Sequence, residues 1–190
     1  MHKAYLTLFF RRLGGTDGIL EYLVPILLFL SLGTEFSVGN YDSLFSVVYI
    51  IMLEAVRTLN KKGKIKRFYV PLAMLSLISA VMMVSDQSIT NILIFYFTIK
   101  TGGALIQLEG SSMIYAVGNK ENLSKYTREH QLTWNIALTL GNLVGIAIAG
   151  IVYNVFYGKE AFAATIVVLM VFFVIQAWLL QQVEGKLKNA

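Results

Sequence analysis

Six apolar stretches occupy most of this chain: Gly18–Thr34, Tyr41–Thr58, Phe68–Ser85, Ile89–Ala116, Leu132–Phe156 and Ala161–Gln182. Each is close to the ~20 residues that cross a bilayer as a helix. The loops between them are short, so no room remains for a separate water-soluble domain. Composition agrees. Only 14% of the residues are charged and 56% are hydrophobic, whereas an average soluble domain carries about 25% charged residues. A soluble fold of this size needs more charge than that on its surface. A disordered chain, a nucleic-acid-binding domain and an ordinary soluble enzyme are therefore excluded. The expected fold is all-α: an integral membrane bundle of six transmembrane helices over residues 18–182, with a cytoplasmic arm at 1–17 and a cytoplasmic tail at 183–190. The lipid bilayer is its first partner, and nucleic acid is not one.

The basic residues order these stretches across the membrane. Lys3, Arg11 and Arg12 precede the first stretch. Arg57, Lys61, Lys62, Lys64, Lys66 and Arg67 lie between the second and third. Lys120, Lys125 and Arg128 lie between the fourth and fifth, and Lys186 and Lys188 follow the sixth. The intervening loops carry Glu35 and Asp42, then Asp86, and Lys159 as their single cation. This alternation follows the positive-inside rule and puts both termini in the cytoplasm of a multi-pass protein of the cell membrane. It also accounts for the net charge of +5, as basic loops facing anionic headgroups. Arg11 and Arg12 interrupt the first apolar run, so no cleavable leader is expected. Pro71 falls in the first turn of the third helix, where a missing N–H costs little. Pro25 lies inside the first helix and should bend it.

No constellation for bond chemistry is legible. The chain has no cysteine, which removes thiolate nucleophiles and thiolate metal sites. Gly110-Ser111-Ser112 is not an intramembrane serine-protease motif, and no histidine lies in a later span. Asp17-Gly18 stands apart from the other aspartates, and there is no phosphate-binding loop. With His2 and His130 as the two histidines, no metal centre is expected. The chain is read as a non-enzyme without a cofactor.

The loop after the second stretch reads Val56-Arg57-Thr58-Leu59-Asn60-Lys61-Lys62-Gly63-Lys64-Ile65-Lys66-Arg67. It resembles the motif G-x-x-x-D-[RK]-x-G-[RK]-[RK] of the major facilitator superfamily, found between the second and third helices of each six-helix half. Gly63 falls on the second motif glycine, and Lys61 and Lys64 fall on basic positions. Asn60 stands where the family has aspartate, and Val56 where it has the first glycine. The resemblance extends to the plan of six helices with both ends inside. The family's Pro beside Gly in the fifth helix of the N-terminal half is absent here, which points to the C-terminal half. The resemblance implies secondary transport of a small-molecule solute by alternating access, with the site between two halves. It implies a second six-helix half or a homodimer as partner. It also implies two inverted three-helix repeats within this unit. The rival expectation is a non-transporting membrane protein: a fragment, a pseudo-transporter or an assembly partner.

Several residues then become candidates. Lys100 lies eleven residues into the fourth stretch, roughly 16 Å deep and near the midplane. A charge there costs at least about 2.5 kcal/mol and must face a cavity or a partner. Gln107 shares its helix face. Glu21, Glu54 and Glu109 lie near cytoplasmic ends of spans, where the family forms gate contacts against the basic loop. Arg57 can pair with Glu54 within one helical turn. Gly141 and Gly145 form a G-x-x-x-G in the fifth span and, with Gly150, should let helices approach closely.

Overall fold

A computed structural model describes residue 6 and residues 9–13, 19–61, 65–118 and 123–187. Six helices follow one another: α1, Ile19–Leu32; α2, Glu35–Lys61; α3, Tyr69–Ser85; α4, Ile89–Gly118; α5, Leu123–Val155; and α6, Gly158–Leu187. Residues 9–13 are helical as well, and a 3-10 turn at Ile65–Phe68 leads into α3. Among the described residues there is no strand. The protein is all-α.

The helix ends have local causes. At the end of α1, Gly33 adopts φ +75° and its N–H donates to the Phe29 carbonyl at 2.8 Å. A left-handed residue of this kind closes a helix by capturing a free carbonyl, and glycine does it without a Cβ clash. Gly158, at φ +60°, is the first residue of α6, directly after the turn from α5. Pro71 is the third residue of α3, in the first turn, where an N–H has no intrahelical partner to lose. Pro25 lies inside α1. Ser88 caps α4 by accepting the Asn91 N–H at 3.4 Å, and the Asn91 amide donates to the Asp86 carbonyl at 3.0 Å.

Two helices begin earlier than their apolar runs. The second stretch was expected from Tyr41, yet α2 starts at Glu35. The fifth was expected from Leu132, yet α5 starts at Leu123. Once a helix is nucleated, each added residue gains a hydrogen bond, so propagation runs into polar sequence unless a breaker intervenes. This correction moves Glu35 from the first loop onto a helix, and it puts Asp42, counted with that loop although it is the second residue of the run, well inside α2.

Within the described residues, Asn135–Val155 and Glu160–Gln182 are long and apolar enough to cross a membrane. Tyr22–Leu32 and Tyr69–Ser85 are apolar but shorter. Six helices of unequal length and polarity are thus present where six full spans were expected, and two of them have the length and apolarity of a span. With 14 residues, α1 reaches only about 21 Å, against a hydrocarbon core of about 30 Å. α2 carries Asp42 and Glu54 along its length, and α4 carries Lys100.

α3 lies between α6 and α4 and makes the most extensive contacts in the molecule. α2 packs on α4, α5 packs on α6, and α1 lies against α6, α2 and α4. α3 buries Tyr69, Ala73, Ser76, Ala80 and Met83, a single stripe at helical spacing. Facing it are Phe95 and Ile99 of α4 and Ile166, Met170, Phe173 and Ala177 of α6. Gly102 allows the close approach at the centre. A Cβ there would come 3.3 Å from Ser76 Oγ and 3.6 Å from the Phe173 ring.

The outward faces are as apolar as the core. Met74, Leu75, Ile78 and Met82 of α3 are exposed, as are Ile94 and Phe97 of α4. α5 is exposed on most of its circumference, at Ile136, Leu140, Leu143, Ile146 and Ile151. Among its described side chains, the buried ones form a ridge of small residues, Ala137, Gly141 and Gly145, and Ile148 packs beside them against the core.

Candidate functional site

Lys100 meets Asp42. Its Nζ lies 3.3 Å from Asp42 Oδ1, joining α4 to α2. The Tyr96 hydroxyl donates to the same Asp42 oxygen. Tyr96 precedes Lys100 by one helical turn, so both point from one face of α4, and Lys100 Nζ stands 5.1 Å from the Tyr96 ring centroid. Phe45, one turn after Asp42 on α2, packs edge-on to Tyr96 at 5.0 Å and tilts toward Phe97 at 6.2 Å. The site is therefore one carboxylate, one ammonium and one phenol held against an aromatic wall. It is open on one side: the Lys100 side chain is 35% exposed and that of Asp42 51%. Neither has another polar partner among the described residues. Chemically, the arrangement presents fixed opposite charges at an otherwise apolar surface.

Behind it runs a second polar cluster, fully buried between α3 and α4. Ser79 Oγ and Thr98 Oγ1 are 2.7 Å apart, and Ser76 Oγ lies 3.1 Å from the Thr98 carbonyl oxygen. Thr98 in turn donates to the Phe95 carbonyl at 2.8 Å. These bonds tie the two helices together. Ser79→Ala should cost about 1–2 kcal/mol, because it strips a buried partner from Thr98. Ser79→Ala/Thr98→Val should cost less than the sum of its single changes. Thermal unfolding of the three variants measures both. Thr101 Oγ1 and Gln176 Oε1 are buried without a hydrogen-bond partner.

The remaining candidates are dispersed. Glu54 is exposed on α2, and Thr58 Oγ1 donates to its backbone carbonyl at 3.1 Å. Glu21 belongs to α1, Arg57, Asn60 and Lys61 to α2, and Gln107 and Glu109 to α4, but their side chains lie outside the described residues. Gly63 and Lys64 lie wholly outside them. Among the described residues there is no cluster of metal-ligating side chains.

The three packing glycines differ. Gly141 is buried, and a Cβ there would come 2.8 Å from the Phe9 carbonyl oxygen and 2.9 Å from Arg12 Cβ. It is the seat of the helical residues 9–13, which also reach α6 by stacking Phe10 on Phe172 at 5.9 Å. Gly145 is buried on the same ridge. Gly150 is exposed, with open space where a Cβ would stand, so it does not share the packing role expected of it.

Asp42 and Tyr96 were missed in the sequence as members of the site. One signal was present: Tyr96 and Lys100 share a helix face, and the lone Asp42 borders the second apolar run. Comparison of the chain with protein-family models, with curated proteins and with solved structures gives no match.

Proposed function

We propose that this chain is a multi-pass protein of the cell membrane that forms one six-helix half of a secondary transporter. It moves a small solute by alternating access together with a second half or a second copy. The observation that carries this reading is the Asp42–Lys100 pair: opposite charges placed between two largely apolar helices and left open on one side. Ionisable groups at such positions are costly, and where they persist they mark pathways or coupling sites by default. The apolar exterior and the alternation of basic loops support the membrane setting. The basic loop around Asn60–Lys64, with its resemblance to the major facilitator superfamily, supports the transporter class.

A second reading has its own support. Lys100 is neutralised by Asp42, as it would be in a non-transporting bundle where the pair only fastens α2 to α4.

Two measurements test the proposal. The chain is naturally free of cysteine, so single cysteines report topology cleanly. A membrane-impermeant maleimide applied to intact cells should label Thr34→Cys, Gln87→Cys and Tyr157→Cys. It should spare Gly63→Cys, Asn122→Cys and Asn189→Cys until the membrane is opened. Labelling of both groups from one side overturns the multi-pass topology. Native mass spectrometry in lipid nanodiscs should then find a stable pair, homomeric or with a co-purifying six-helix partner. A strict monomer overturns the transporter reading in favour of the second.

A further inference from the structure

We infer that the Asp42–Lys100–Tyr96 constellation is a binding site for a small zwitterion carrying a primary ammonium group next to a carboxylate or phosphate. The geometry provides one recognition element for each end. Asp42 uses Oδ1 for both Lys100 and Tyr96, which leaves its other oxygen to accept from an ammonium. Lys100 spends one direction of a three-donor group on Asp42, which leaves donors for an anion. The two side chains remain 51% and 35% exposed, so a ligand reaches both without breaking the pair. Nζ and Oδ1 are 3.3 Å apart, so a ligand whose own charges lie a carbon or two apart sets each against its complement.

Monopolar ligands fit poorly. An anion on Lys100 would face the Asp42 carboxylate, and a cation on Asp42 would face the Lys100 ammonium, so each would meet repulsion at close range. A quaternary ammonium has no N–H for Asp42 and is excluded, and a primary ammonium, with the most N–H donors and the least bulk, suits the carboxylate best. Phe97, 42% exposed and close to Phe45, provides an apolar surface for a side chain or an acyl chain. Tyr96 holds the carboxylate in place from below.

This inference deepens the transporter reading, resting on its choice of the Asp42–Lys100 pair as the working site, but binding alone reads it out. The chemistry is shared by a free amino acid and by the headgroup of phosphatidylethanolamine. The test uses the full chain in nanodiscs of phosphatidylcholine and phosphatidylglycerol, with the unfolding midpoint followed against added L-leucine. Two controls lack one charge each: 3-methylbutan-1-amine and 4-methylpentanoate. A parallel set of discs replaces phosphatidylcholine with phosphatidylethanolamine.

Saturable stabilisation by leucine and by neither control assigns the site to a free amino acid. Stabilisation by phosphatidylethanolamine alone assigns it to the headgroup. In either case Asp42→Asn and Lys100→Gln should each weaken the response about tenfold or more, the loss of one charge-assisted hydrogen bond. Phe97→Ala should weaken it less. No stabilisation in either arm overturns the inference, as does a response shared equally by the monopolar controls. The controls are read on the native chain, so the test stands even where a variant fails to fold. Zwitterion binding by a strict monomer would keep this inference and remove the transporter reading. A stable pair without zwitterion binding would do the reverse.

Discussion

Asp42→Ala should lower the unfolding free energy by about 2 kcal/mol, and adding Lys100→Met should return more than half of that loss. The size lies between the roughly 0–1 kcal/mol of a solvated surface pair and the roughly 3–5 kcal/mol of a broken buried one, because both side chains are partly exposed. Asp42→Ala should be the more harmful single change. It strands two groups at once, the Lys100 ammonium and the Tyr96 hydroxyl. Lys100→Met strands only Asp42, which keeps its bond from Tyr96. A double-mutant cycle in nanodiscs, read by thermal or detergent unfolding, isolates the pair term. Strict additivity of the two single changes would show that the ammonium and carboxylate do not support each other.

Gly141→Leu should be the most damaging glycine substitution in α5, at about 3 kcal/mol or loss of the folded form, whereas Gly150→Leu should fall within about 0.5 kcal/mol of the parent. At position 141 the first added carbon already meets backbone, the Phe9 carbonyl at 2.8 Å. Backbone cannot rotate away as a side-chain tip does, so the helical residues 9–13 must lift from α5. That movement also unstacks Phe10 from Phe172. At position 150 an added side chain enters open space on the exposed face. Protease sensitivity of the segment around Phe9–Leu13 is the sharper readout. It should rise for Gly141→Leu and stay level for Gly150→Leu. Equal sensitivity would mean that this segment is not seated on Gly141.

Both outcomes depend on contacts across helices, and here sequence and structure part. The helical class and the placing of the helices were legible, because apolar content and helix breakers are local properties read along one dimension. Pro71 lies in the first turn of a helix, as its place in the sequence indicated. Lys100 was legible as a site residue because a cation in an apolar helix carries its own energetic argument. Its partner was not. The expected companion, Gln107, shares a face with Lys100 on α4, since spacing within a helix is all that a sequence displays. Asp42 was counted with the first loop because a charge at the edge of an apolar run looks like a loop residue, although a helix, once started, propagates through it.

The glycines show the same division. Gly141, Gly145 and Gly150 look alike along the chain, all small and all in one helix. Two of them fall on the ridge that faces the bundle, while Gly150 has drifted out of the contact.

Local chemistry therefore sufficed for an all-α chain with an apolar exterior, basic loops on alternate connections, and a lysine that must face a cavity or a partner. Only the tertiary fold decided that the partner is Asp42. The hydrogen bond that anchors this meeting joins residues 54 positions apart, and which faces of two helices meet at that distance depends on how all six pack together.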